Sequence, residues 1–111
     1  MSIVTTESPI LENRKTFREW LVQQTTPVVV KFYADWCGPC KQIKQLVMER
    51  VVDYQFILVE VNIDVNRDIA SAMRVRGVPT LVSFHKGEQR HVVSGNHIAS
   101  INSFFKKVAG N

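Results

Sequence analysis

Cysteine is scarce: the 111-residue chain holds two, Cys37 and Cys40. Without a second cysteine pair a zinc site, which needs about four ligands, is short of them. His85, His91 and His97 are not spaced to pair along a helix, and each reads as a surface or strand residue. No apolar run approaches the ~20 residues of a membrane span. The N-terminal Met-Ser-Ile-Val-Thr-Thr-Glu-Ser-Pro lacks the basic and then apolar pattern of a secretory signal. No membrane association and a reducing, cytoplasmic setting are therefore expected. In such a setting a structural disulfide is disfavoured, and one closing so short a loop would constrain the unfolded chain only weakly. Charge of neither sign dominates, since 14 Lys and Arg against 10 Asp and Glu leave +4. The basic residues form no dense run and do not alternate with aromatics, which argues against nucleic acid as a partner. Repeats and low-complexity segments are also missing.

What remains is an ordinary globular composition, 45% hydrophobic and 22% charged, in one expected domain over residues 1–111, with a monomer as the default. The cysteine pair follows an apolar run, Val28-Val29-Val30-Lys31-Phe32-Tyr33. It precedes a helical pattern of Ile43, Leu46, Val47, Arg50 and Val51. It thus marks a strand-to-helix junction. Two intervening residues put both sulfurs in the first helical turn, within reach of a disulfide. Free N–H groups at the helix start favour a thiolate, so Cys37 is the expected nucleophile. Cys40, deeper in the helix, would attack the mixed disulfide on Cys37 and resolve it.

Along the chain, Ile3 to Thr5 can form a short edge strand. Asn13 can cap a helix to about Gln24, with Phe17, Trp20 and Leu21 on one face and Trp20 in the core. Val28 to Tyr33 reads as a central strand covered on both faces. The helix after the cysteines runs to Val52 or Asp53, and Phe56 to Asn62 is a second buried strand, giving a right-handed βαβ unit. Asn66 can cap a short helix through Met73 or Arg74. Thr80 to His85 and Gln89 to Ser94 flank a hairpin turn at Lys86-Gly87-Glu88. Ile98, Ile101, Phe104, Phe105 and Val108 form the buried side of a last helix. The expected class is α/β, a central mixed sheet of four to five strands with helices on both faces.

Ala34-Asp35-Trp36-Cys37-Gly38-Pro39-Cys40-Lys41 resembles the active site of the thioredoxin family. The likeness continues collinearly through Val61-Asn62-Ile63-Asp64, Arg76-Gly77-Val78-Pro79-Thr80, Phe84-His85-Lys86-Gly87-Glu88 and Gly95, over residues 27 to 109. The resemblance implies a thioredoxin fold and a protein disulfide oxidoreductase without a bound cofactor. Its partners would be disulfide-containing proteins and a thioredoxin reductase as electron donor. It further implies a cis Val78-Pro79 bond, with Pro79 against Cys37 and the Val78 backbone offered to an extended substrate. Trp36, Gly38, Pro39, Ile63, Gly77 and Gly95 would form the surrounding surface. Two other functions stay open: a binding or accessory module with little redox turnover, and a more oxidising oxidase or isomerase, although Gly38-Pro39 resembles the reducing members.

Three departures from the family pattern stand out. Where a kinking proline is common, this chain has Gln45, so a straighter helix is expected; where an apolar residue usually precedes the last glycine, it has Ser94. Most consequential, a buried Asp that usually serves as proton relay is Lys31 here, and the Lys expected on the neighbouring strand is Glu60. The two could pair, with Glu60 taking the relay role and Lys31 holding it. Lys31 could instead favour thiolates and make the protein more oxidising, or both side chains could reach solvent. Finally, Lys41, Arg74 and Arg76 could converge near the cysteines and favour acidic partners.

Overall fold

The computed structural model describes residues 2–110. Five strands, β1 (Ser2–Val4), β2 (Val28–Tyr33), β3 (Ile57–Asn62), β4 (Thr80–His85) and β5 (Glu88–Ser94), form one sheet in the order β1-β3-β2-β4-β5. The helices are α1 (Arg14–Gln23), α2 (Gly38–Tyr54), α3 (Arg67–Ala72) and α4 (Ile98–Ala109), with a 3₁₀ turn at Pro9–Leu11. β1 and β2 run parallel to β3, whereas β4 is antiparallel to β2 and β5 antiparallel to β4. The sheet is therefore mixed, and the first strand, expected at Ile3 to Thr5 and found at Ser2–Val4, is one of its outer edges.

Alternation along β2 and β3 separates two cores. Val28, Val30, Phe32, Val59 and Val61 pack with Phe17 and Leu21 of α1 and Ile69 of α3. Val29 and Leu58 face the other way, onto Ile43, Val47 and Val51 of α2 and Ile101, Phe104, Phe105 and Val108 of α4. Tyr54, Phe56 and Phe105 stack there with centroids 5.3 to 6.4 Å apart. The apolar run of β2 is continuous in sequence because both of its faces are covered.

Local chemistry sets the ends of the elements. Asn13 caps α1, its side chain accepting from Thr16 N–H at 2.9 Å. α2 passes through Gln45 without interruption and ends at Tyr54, slightly beyond expectation, where Gln55 turns left-handed at φ 60°. Lys86 and Gly87, with φ 53° and 84°, make the two-residue β4–β5 turn. A Cβ at Gly87 would lie 2.7 Å from the Val22 side chain, so the glycine is required twice over, by conformation and by space.

Three expectations need correction. Trp20 is half-buried, stacked on Phe17 at the rim of the core rather than inside it. Ile98 is 61% exposed because it opens α4, one turn before the helix meets the sheet. Asn66 occupies the cap position of α3 without a side-chain cap bond. Its amide is used instead to tie down the N-terminal segment. It contacts the Thr6 hydroxyl, donates to the Thr6 carbonyl at 3.1 Å and accepts from Asn62 N–H at 3.3 Å.

Phe105 is fully buried between α2, α4 and the sheet. Phe105→Ala should cost ~3–5 kcal/mol in urea unfolding, through lost transfer energy and a residual cavity.

Candidate functional site

Both cysteines sit where β2 gives way to α2. The chain leaves β2 after Tyr33, a turn bonds Cys37 N–H to the Ala34 carbonyl at 3.1 Å, and Cys37 becomes the N-cap residue of α2. Its sulfur accepts from Cys40 N–H at 3.2 Å. Pro39 fits the first turn, where its missing N–H has no helical partner to lose. Cys37 and Cys40 are joined in a disulfide with Cα atoms 5.3 Å apart, and both are buried. Ile63 and Val78 pack over the pair together with Tyr33 and Ala34.

Residues from four segments converge here. The Val78-Pro79 bond is cis. Gly95 N–H donates to the Pro79 carbonyl at 2.9 Å, and the Thr80 hydroxyl donates to the Gly77 carbonyl at 2.7 Å. Ser94 lies 3.3 Å from the Thr80 hydroxyl, so the polar residue beside Gly95 is held within this loop pair. Gly38 and Pro39 are exposed beside the cysteines, and Trp36 is 69% exposed.

Sequence reasoning missed what fixes the Trp36 ring. Its indole N–H donates to Asp64 at 2.9 Å, Asp64 N–H donates to the Asn62 side chain, and the Asn62 amide reaches Asp35 at 3.4 Å. The chain of bonds ties the β2–α2 loop to the β3–α3 loop. Asn62 and Asp64 flanking Ile63 were its visible signal, as residues that favour side-chain-to-backbone turns.

Lys31 and Glu60 are direct neighbours in the parallel β2–β3 register, and Lys31 Nζ lies 3.5 Å from Glu60 Oε2. Their side chains are 4% and 17% exposed, so Lys31 does not reach solvent. The ammonium also lies 5.6 Å from the Tyr33 ring centroid. Burial lowers the pKa of Lys31 from its usual range; Glu60 opposes this, and Lys44 on α2 adds to it. Burial first, and then the Glu60 charge, raises that of Tyr33. A cavity of about 380 Å³ is lined by Lys31, Glu60 and Cys40 together with Tyr33, Ala34, Asp35, Lys41 and Lys44. The ion pair and the second cysteine thus share one space.

Lys41 lines this cavity, whereas Arg74 and Arg76 line another. Among the described residues no group of three or more His, Cys, Asp or Glu could hold a metal ion. None of their helices is long and apolar enough to cross a membrane.

Comparison with known proteins gives a consistent picture. A family model described as thioredoxin matches residues 8–107. Thioredoxin 1 of Synechococcus elongatus is 38% identical over 82 residues, covering 72% of this chain and 77% of the relative. The thioredoxin of Rickettsia bellii is 33% identical over 85 residues, covering 75% and 81%. In structure, reduced Schistosoma mansoni thioredoxin pre-protein matches with a TM-score of 0.83 at 28% identity, over 97% of this chain and 99% of that one.

The Lys31 shift makes a signed prediction. Between its lowered folded value and the unfolded value of 10.5, the unfolded chain holds a proton that the folded chain has released. Stability from this group therefore rises with pH through that window and levels off above it. Relative to the parent protein, Lys31→Met should remove that rise, read as a flatter stability-against-pH curve in urea unfolding on the alkaline side.

Proposed function

The chain belongs to the thioredoxin family and is a thiol-disulfide oxidoreductase, and from this we propose that it works as a reductase of disulfides in partner proteins. The carrying observation is the Cys37–Cys40 disulfide at the N-terminus of α2, with Cys37 in the cap position. In the dithiol form, Cys37 thiolate, favoured by the Cys40 N–H and the helix start, attacks one sulfur of a substrate disulfide and expels the other as a thiolate. Cys40 then loses its proton and attacks the Cys37 sulfur, expelling the second substrate thiolate. Two electrons pass to the substrate, and the Cys37–Cys40 disulfide is left to be reduced by a donor dithiol. We take that donor to be a thioredoxin reductase, and the protein to be a cytoplasmic monomer of one domain over residues 1–111.

Substrate would lie along Val78 and Pro79 as an extended strand, with Trp36, Gly38, Pro39, Ile63, Gly77 and Gly95 around it. In support, Ile63 and Val78 pack on the cysteines, Gly95 N–H donates to the Pro79 carbonyl, and the Thr80 hydroxyl donates to that of Gly77. The proton released by Cys40 goes in this reading to the Glu60 carboxylate, which Lys31 positions. The cavity that Glu60 shares with Cys40 supports this assignment.

Two experiments test these roles. NADPH-driven reduction of a disulfide protein through a thioredoxin reductase should be abolished by Cys37→Ser, while Cys40→Ser should accumulate a covalent mixed disulfide visible on a non-reducing gel. If Cys37→Ser retained turnover, the reductase reading would be wrong. Glu60→Gln should slow the resolving step at neutral pH by about 10²-fold, the low end for general acid–base catalysis, and leave the first attack unchanged. An unaltered pH profile for resolution would exclude the relay.

A further inference from the structure

A second groove of about 250 Å³ is lined by Arg74, Arg76, Gly77, Gln89, Val92 and Ser94 among others, with no carboxylate in its lining. We propose that this groove binds acidic side chains of an extended substrate segment, so that the protein prefers disulfides flanked by Asp or Glu. The proposal rests on the reductase reading and supplies its substrate class.

Continuity with the site is the first support. Gly77 lines the groove and is followed by Val78, which packs on Cys37 and Cys40. A strand laid along the Val78 backbone would run on into it. Charge is the second. Neither Arg74 nor Arg76 has an ion pair or a side-chain hydrogen bond among the described residues, in contrast to Arg14, Arg50 and Arg90, which pair with Asp68, Asp53 and Glu88. Two unneutralised guanidiniums facing one groove fit an acidic ligand, and each can take a carboxylate through two parallel hydrogen bonds.

Arg74 has φ 54°, just after α3, and the bonds Val75 N–H to Ala70 O and Arg74 N–H to Ser71 O close the helix end. Glycine is the residue that this left-handed position favours. Gln55 and Lys86 hold the same left-handed conformation elsewhere in the chain, so the strain at Arg74 is modest, and glycine would relieve it.

That placement makes the test clean, because Arg74→Gly removes the charge while relieving the backbone. The dithiothreitol-reduced protein is mixed with two synthetic peptides carrying the same disulfide ring, one flanked by Glu and the other by Gln, and the rate of peptide reduction is followed. The parent should reduce the Glu peptide roughly tenfold faster at low ionic strength. The difference should shrink in 1 M salt, where the Debye length falls to about 3 Å. Arg74→Gly and Arg76→Gln should each lower the ratio, and together bring it to about one with the Gln-peptide rate unchanged. The urea midpoint of Arg74→Gly should stay equal or rise. Equal rates for both peptides with the parent, or a ratio retained in the double variant, would overturn the proposal alone. No reduction of either peptide would overturn the reductase reading, and the proposal with it.

Discussion

The parallel pairing of β2 with β3 is the constraint on which the site depends. Its register aligns Val28 to Tyr33 with Ile57 to Asn62 residue by residue, placing Lys31 opposite Glu60. It also ends both strands at the same level, where Ile63 N–H bonds to the Tyr33 carbonyl at 3.0 Å and the two loops carrying Cys37 and Ile63 emerge together. A slip of one residue would reverse the faces of a whole strand. Val28, Val30 and Phe32 would leave the α1–α3 core, and Lys31 would turn away from Glu60. The two hydrophobic cores thus fix the register, and the register assembles the site.

The Lys31–Glu60 pair is then hard to explain as a stabilising device. Two apolar residues at these places would extend the core between the sheet and α2, and buried ion pairs seldom outperform such replacements. The depressed Lys31 pKa points the same way, because burial outweighs the attraction of Glu60 and penalises the charged ammonium. A pair that does not maximise stability, yet opens into the cavity lined by Cys40, fits a role in handling the proton of that cysteine. One carboxylate and one ammonium occupy the site whichever strand carries which, so the exchange preserves net charge and a proton acceptor while reversing the local dipole.

Much of this was legible in the residues. The alternation and apolar continuity of β2 and β3, the spacing of Cys37 and Cys40, and the Lys86-Gly87 turn are local signals with local physical causes. The Lys31–Glu60 contact was also within reach, since two adjacent parallel strands of equal length leave few registers. What stayed hidden depends on distant partners. Asn66 is a good cap by composition, yet Thr6, sixty residues away, engages its side chain. Trp20 and Ile98 follow the helical period correctly, but where each helix crosses the sheet decides which end of its stripe is covered. Trp36 is anchored by Asp64 across two loops; Asn62 and Asp64 signal a turn, but which side chain of the other loop it meets depends on how the strands end side by side.

The cysteine pair and the two arginines of the second groove stand in different surroundings. Cys37, Cys40, Lys31 and Glu60 are held by the sheet and the first turn of α2, all within or against the close-packed core, where a change of residue is felt by every neighbour. Arg74 and Arg76 are exposed, on a loop that contributes Met73, Val75 and Val78 to the apolar clusters. Loops of this kind can change charge with little effect on folding. What sets Arg74 apart from Gln55 and Lys86, which share its left-handed backbone, is its setting: with Arg76 it lines a groove that has no carboxylate, so the charge of the two arginines is left for a ligand to meet.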